Sequence, residues 1–155
     1  MSLAKDLLDQ ANRLARREKR KPKQASLRRA VSTAYYALFH LLIAEAVANW
    51  KRPDQRAKLA RVFEHRRMKQ ASAKVLSEDF SGQDPQTVST LRTVADAFIR
   101  LQDFRHRADY ENTFTLTPIE ALRQIALACD AFASWNTIRK ERIAQDYLLA
   151  LLIHR

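Results

Sequence analysis

Residues Ser26–Ala46 read SLRRAVSTAYYALFHLLIAEA. The run contains no glycine or proline, and Leu27, Val31, Ala34, Leu38, Leu41 and Leu42 recur at spacings of three and four, the period of an α-helix with one apolar stripe. Arg29, Thr33, Tyr36 and His40 share a second face of the same helix, which the pattern extends from about Gln24 to Trp50. Tyr36 and His40 stand one turn apart beside the core stripe, where aromatic side chains bury their rings and find partners for their polar tips.

The same period appears on both sides of this helix. Leu3, Leu7, Leu8, Ala11 and Leu14 mark a first helix, interrupted by a basic run ending at Pro22. A strongly basic third helix is expected from about Asp54 to Leu76. The stretch SEDFSGQDP then holds the single glycine, Gly82, and ends on Asp84 and Pro85, an N-cap followed by a proline at the first helical position. Val88, Leu91, Val94, Ala95, Phe98 and Leu101 give the fourth helix its apolar face. Thr117, Pro118 and Glu120 spell a capping box for a fifth helix, which is expected to run to the C-terminus with a break near Trp135. With no repeat at a fixed period, these elements predict one all-α domain over residues 1–155, an antiparallel up-and-down bundle of about five helices.

Charge narrows the class of partner. The formal net charge is +11 and the isoelectric point about 10.3, which favours a polyanion such as nucleic acid. The charge is concentrated in two blocks. Residues 1–30 carry ten Lys or Arg against three acids, and residues 51–74 carry nine against two, so each block is +7 and the remainder near −3. Arg16, Arg17, Lys19, Arg20, Lys21, Lys23, Arg28, Arg29, Arg66 and Arg67 are the side chains expected to contact nucleic acid. The lone Cys129, in the apolar run IALACDAFA, reads as a small buried hydrophobe and fits a reducing cytoplasm. The N-terminal residues lack a signal-type apolar region, and no stretch approaches the roughly 18 apolar residues of a membrane span, so a soluble cytoplasmic protein without a membrane partner is expected.

The chemistry concentrates in Phe98–Tyr110, FIRLQDFRHRADY. Arg100, Arg105 and Arg107 offer donor forks matched to phosphate oxygens, and His106 offers a proton that moves near neutral pH. Arg105 and Asp109 are i,i+4 neighbours, as are His106 and Tyr110, and Asp103 lies three residues before His106, placed to orient its imidazole. A di-metal carboxylate site would need two acid–histidine pairs at i,i+3 spacing, and Asp103 with His106 is the one on offer, so no metal is expected. With a single glycine there is no phosphate-cradling loop, which sets aside nucleotide hydrolases and nicotinamide enzymes and leaves no expected cofactor.

The two segments RRAVSTAYYALFH and FRHRADY, in that order and spacing, make the chain resemble the HEPN family of small helical proteins from about Ala11 to Ala133. That resemblance implies a dimerising helical bundle acting on RNA. Many HEPN members are metal-independent ribonucleases with an Arg and a His four to six residues apart in a cleft between protomers; others only bind RNA or nucleotides. Two registers are open. In one, Arg100 and His106 form the pair, His106 moves the proton of a ribose 2′-hydroxyl, and Arg100 with Arg105 holds the phosphorane charge, with Asp103, Asp109, Tyr110, Tyr36 and His40 in support. In the other, Arg105 takes the arginine place, no histidine follows between Tyr110 and Asn112, and the chain matches non-cutting members, or remains a plain helical nucleic-acid-binding protein. Resemblance to toxin members further implies a homodimer and a nucleotidyltransferase-type antitoxin, which in such pairs can modify a tyrosine near the motif, here Tyr110.

Overall fold

Seven helices follow one another in the computed structural model, which describes residues 2–153: α1 (Leu3–Ala15), α2 (Gln24–Ala48), α3 (Pro53–Ala60), α4 (His65–Ser77), α5 (Pro85–Tyr110), α6 (Pro118–Ile138) and α7 (Arg142–Leu152). No strand occurs among the described residues. The local start signals act as the sequence predicts. The Asp84 carboxylate accepts from the Thr87 amide at 3.0 Å with Pro85 in the first turn. At α6 the capping box closes in both directions, Glu120 N to Thr117 Oγ1 at 3.1 Å and Thr117 N to Glu120 Oε1 at 3.2 Å.

Helix α2 is the axis of the bundle. Ala30, Val31, Ala34, Tyr35, Ala37, Leu38, Phe39, Leu42 and Ile43 are all buried, more than one stripe of the helix, so neighbours must cover it from several sides. Helices α1, α5 and α6 do so, and the alanines allow close approach. Contacts at Tyr36–Arg105 and Arg28–Ala108 show that α2 and α5 run antiparallel. The main core gathers Tyr35, Leu38, Leu42, Leu91, Phe98, Leu101, Ile125, Trp135 and Tyr147. A smaller cluster of Leu27, Val31, Ala108, Leu116 and Ala121 ties the start of α2 to the end of α5 and the connection into α6.

The bundle departs from five helices in two places. The expected third helix breaks after Ala60, and a new helix, α4, starts after Glu64, which holds the N-cap position without a side-chain hydrogen bond. Helix α3 buries none of its residues, whereas Phe63, Met68 and Val75 are buried, so the chain turns to put them on the core. The expected fifth helix divides about one turn beyond Trp135: α6 ends at Ile138, and the chain turns at residues 139–141 before α7. Trp135 is buried with its indole N–H donating to Glu45 at 2.7 Å, and the turn swings α7 onto α4, where Tyr147 and Ser72 share a buried hydroxyl hydrogen bond of 2.7 Å. The expectation that no stretch approaches a membrane span is also corrected. Helix α2 holds an 18-residue window of mean hydropathy 1.4, long and apolar enough to cross a membrane, and here more than half of that window is buried as the central helix of the bundle. Cys129 is half-buried, and burial raises its thiol pKa.

Several arginines hold helix ends. Arg28 spans the end of α5 and the following loop: Nη1 donates to the carbonyls of Ala108 (2.8 Å) and Glu111 (3.1 Å), and Nη2 to those of Asn112 and Phe114. Arg56 donates to the Ala48 and Trp50 carbonyls beyond α2, and Arg92 to the Val75 and Glu78 carbonyls at the end of α4. The last carbonyls of a helix lack intrahelical partners and carry partial negative charge, so a planar fork is the side chain best matched to them. Replacing Arg28 by Met is expected to lower unfolding stability in urea by about 2 kcal/mol, because the carbonyls lose a charged donor. Arg28→Lys should recover less than half of that, since one ammonium cannot serve both sets of carbonyls.

Candidate functional site

The most connected polar cluster lies where the middle of α2, the first residue of α4 and the last turns of α5 meet. Three consecutive requirements build it. Helix α2 turns Tyr35 fully inward, with no exposed surface, so its hydroxyl needs a partner inside the protein. His65 supplies it at 2.5 Å from Nδ1, and its ring stacks on Phe39 at 4.3 Å between centroids. Arg105, reaching back from α5, closes the top.

Arg105 is held on all sides. Its Nη2 donates to the Tyr36 hydroxyl at 2.5 Å, and its guanidinium carbon lies 5.1 Å from the Tyr36 ring centroid, 5.6 Å from Tyr35 and 5.7 Å from Tyr110. Within about 6 Å such faces attract a cation. Its Nε stands 2.9 Å from Asp109 Oδ2, but the N–H does not point along that line, so the contact is an ion pair without a directed hydrogen bond. Asp109 Oδ2 also accepts from Ser32 Oγ of α2 at 3.3 Å. Only 13% of the Arg105 side chain is exposed, which makes it a tether between α2 and α5.

Two imidazoles border the cluster. Burial lowers the pKa of His65, and the Arg105 charge and His40 add to the shift; burial alone lowers that of His40. Both rings are therefore biased towards the neutral form. Burial raises the pKa of the Tyr35 hydroxyl, which keeps it protonated. A neutral imidazole tied to a buried tyrosine holds geometry better than it exchanges protons with a substrate.

The other sequence-derived residues do not converge within the chain. Arg100 lies exposed and pairs with Asp96 at 2.8 Å. Six residues rotate an α-helix by about 600°, so Arg100 and His106 sit about 120° apart around α5. Asp103, expected to orient His106, is drawn instead to Lys69 of α4. His106 is exposed, with its ring 4.9 Å from that of Tyr110, itself 64% exposed. Arg28 is spent on carbonyls, and Arg67 faces Glu64 at 3.5 Å. Arg16, Arg17, Lys19, Arg20, Lys21, Lys23, Arg29 and Arg66 are exposed, as an anion-contacting surface requires. Arg17 and Arg29 line one open cleft with Ser26 and Thr33, between α1 and α2. His65 was missed by sequence reasoning. The one signal for it was indirect: Tyr35 falls on the inner face of α2 and needs a distant polar partner. No group of three or more metal-ligating side chains is assembled among the described residues.

The chain matches no family model, no curated protein and no solved structure.

The depressed imidazole pKa values set a pH dependence. Above the ordinary histidine value of 6.5 both states carry neutral rings and the native interactions contribute in full. As pH falls below it, the unfolded chain takes up protons that folded His65 and His40 resist, so stability drops until the lowered folded values are passed. Urea midpoints are expected to fall between about pH 6.5 and 5, above the range where carboxylates titrate. His65→Gln, which keeps a polar partner for Tyr35 but cannot ionise, should flatten that decline; an unchanged slope would remove His65 from the account.

Proposed function

We propose that this chain is an RNA-binding protein of HEPN-like architecture, acting in its non-cutting form. The observation that carries this reading is the α1–α2 connection. Residues 16–23 set Arg16, Arg17, Lys19, Arg20, Lys21 and Lys23 in solvent, and their one acid, Glu18, is occupied by the Lys23 amide at 2.9 Å and the Ser26 hydroxyl at 3.2 Å. Those hydrogen bonds are what lower the Glu18 pKa. Six cations are thus held on a bent segment stabilised by its own acid, and Arg29 extends them along the neighbouring cleft. Phosphates are the matching ligand, because such a surface binds polyanions through counterion release with no demand on base sequence. The largely buried Arg105 and the separated Arg100 and His106 favour binding over cleavage in a single protomer. A nucleotidyltransferase-type partner belongs to this reading, with the chain as the RNA- or nucleotide-binding half of the pair.

One observation favours a second reading, a metal-independent endoribonuclease toxin. His106 and Tyr110 stand side by side, exposed, on the last turn of α5, where a homodimer would complete a cleft with residues of the second protomer. Its antitoxin would be the nucleotidyltransferase, and Tyr110 the tyrosine open to modification.

Affinity for single-stranded RNA should fall steeply with salt, and Arg17→Ala, Lys19→Ala and Arg20→Ala together should lower the slope of log affinity against log salt by about 2, at roughly 0.7 for each phosphate no longer neutralised. An unchanged slope would move the RNA surface elsewhere. Cleavage in excess EDTA, abolished in His106→Ala and accompanied by sedimentation at about twice the chain mass of 18.0 kDa, would replace the binding reading by the nuclease one.

A further inference from the structure

The C-terminal end of α2 carries a second feature that RNA binding does not use. Trp50, Leu59, Phe63, Leu148, Leu149 and Leu152 line an apolar groove of about 180 Å³ between α2, α3 and α7. Trp50 is 49% and Leu149 54% exposed, a large cost for a monomer to leave open to water. The polar groups at its edge are already satisfied. Asn49 Nδ2 donates to Gln145 Oε1 at 2.7 Å, Gln145 Nε2 to the Arg139 carbonyl at 2.6 Å, and the Trp50 indole N–H to Gln55 Oε1 at 2.8 Å. A base edge needs hydrogen-bonding groups to read it. An aliphatic or aromatic side chain needs none.

Charge surrounds this groove unevenly. Lys51 and Arg52 follow Trp50, and Lys58 and Arg61 flank Leu59; all four are exposed, and none joins an ion pair among the described residues. Asp54 is the acid on α3, and Glu64 faces Arg67. The α7 side adds Gln145 and leucines. A second copy docked by a twofold axis would set these cations against themselves, which disfavours self-association here. We infer that this groove docks an acidic amphipathic segment of a partner protein, Leu or Phe side chains entering between Trp50 and Leu149, with Asp or Glu facing Lys51, Arg52, Lys58 and Arg61. This is the helix-in-groove mode, with apolar anchors for affinity and charge for orientation.

Two synthetic amphipathic peptides test it, identical in their Leu and Phe positions, one with Glu and one with Lys on the polar face. Trp135 is buried at 1% exposure, so acrylamide quenching of the full chain reports Trp50. The Glu peptide should protect Trp50 saturably, and the Lys peptide at least about tenfold more weakly, a difference of roughly 1.4 kcal/mol. Leu149→Glu should weaken the Glu peptide by a similar factor, and Lys58→Glu with Arg61→Glu, which balances the two remaining cations, should abolish the preference between the peptides. These are exposed positions, and helix content by circular dichroism should stay at the wild-type level. Equal protection by both peptides, or none by either at millimolar concentration, overturns the proposal. Protection by a single-stranded RNA oligonucleotide but not by the Glu peptide would make Trp50 a base-stacking platform instead. A wild-type dimer that Leu149→Glu dissociates, with no protection by the peptide, would assign the groove to a second copy.

Discussion

Enclosing α2 is the constraint that organises this protein. A 25-residue helix with ten buried side chains cannot lie on a surface, so the chain must bring helices back to it. Each return is fixed by a polar contact that burial makes obligatory. Tyr35, sealed from solvent, requires the His65 imidazole and thereby sets where α4 begins. Glu45, near the other end, takes the Trp135 indole and both donors of Arg139 at 2.7 and 2.9 Å, and so fixes where α6 stops. Burial alone would raise the Glu45 pKa; these hydrogen bonds and the Arg139 charge outweigh it and lower it. At the start of α2, Gln24 reads the Leu116 backbone with both ends of its amide, at 2.6 and 2.9 Å, which seats the connection into α6.

The same logic divides the positive charge into two populations. Arg28, Arg56 and Arg92 satisfy carbonyls at helix ends, and Arg105 and Arg139 link helices through carboxylates, a tyrosine hydroxyl and tyrosine rings. These cations are internal fasteners, and their charge is offset by the groups they hold. Two solvent-facing sets stand out, the α1–α2 connection with Arg29 and the turn around α3, while Arg123, Lys140 and Arg142 are exposed singly elsewhere. Net charge therefore overstates the positive charge left free at the surface, and both of these sets fall within the two basic blocks of the sequence.

Which features were legible in the sequence follows from how local their causes are. Asp84–Pro85 and Thr117–Pro118–Glu120 act within one turn, so the starts of α5 and α6 could be read residue by residue. The breaks at 61–64 and 139–141 carry no glycine or proline; they exist because Phe63 and Tyr147 have places in a core built by distant helices. Spacing along one helix misled in the same way. Asp103 is correctly spaced to meet His106, yet Lys69 on the neighbouring helix α4 offers it a full charge. His65 stayed invisible because its significance comes entirely from Tyr35, thirty residues earlier.

Arg105 shows why an arginine- and histidine-rich segment is ambiguous until its neighbours are known. Its charge, its pairing with Asp109 and its tyrosine surroundings are also the attributes of a phosphate-binding arginine, and sequence cannot separate the two uses. Burial does separate them. A guanidinium with 13% of its side chain exposed, one Nη on a hydroxyl and its Nε against a carboxylate, offers little surface to a ligand, and drawing it out would remove one of the polar ties between α2 and α5. What the tether does provide is position. Tyr110 packs against the same guanidinium, and His106 against Tyr110, so the exposed pair at the end of α5 is held by a residue anchored in the bundle. Arg105 thus sets the position of this exposed pair from within the bundle.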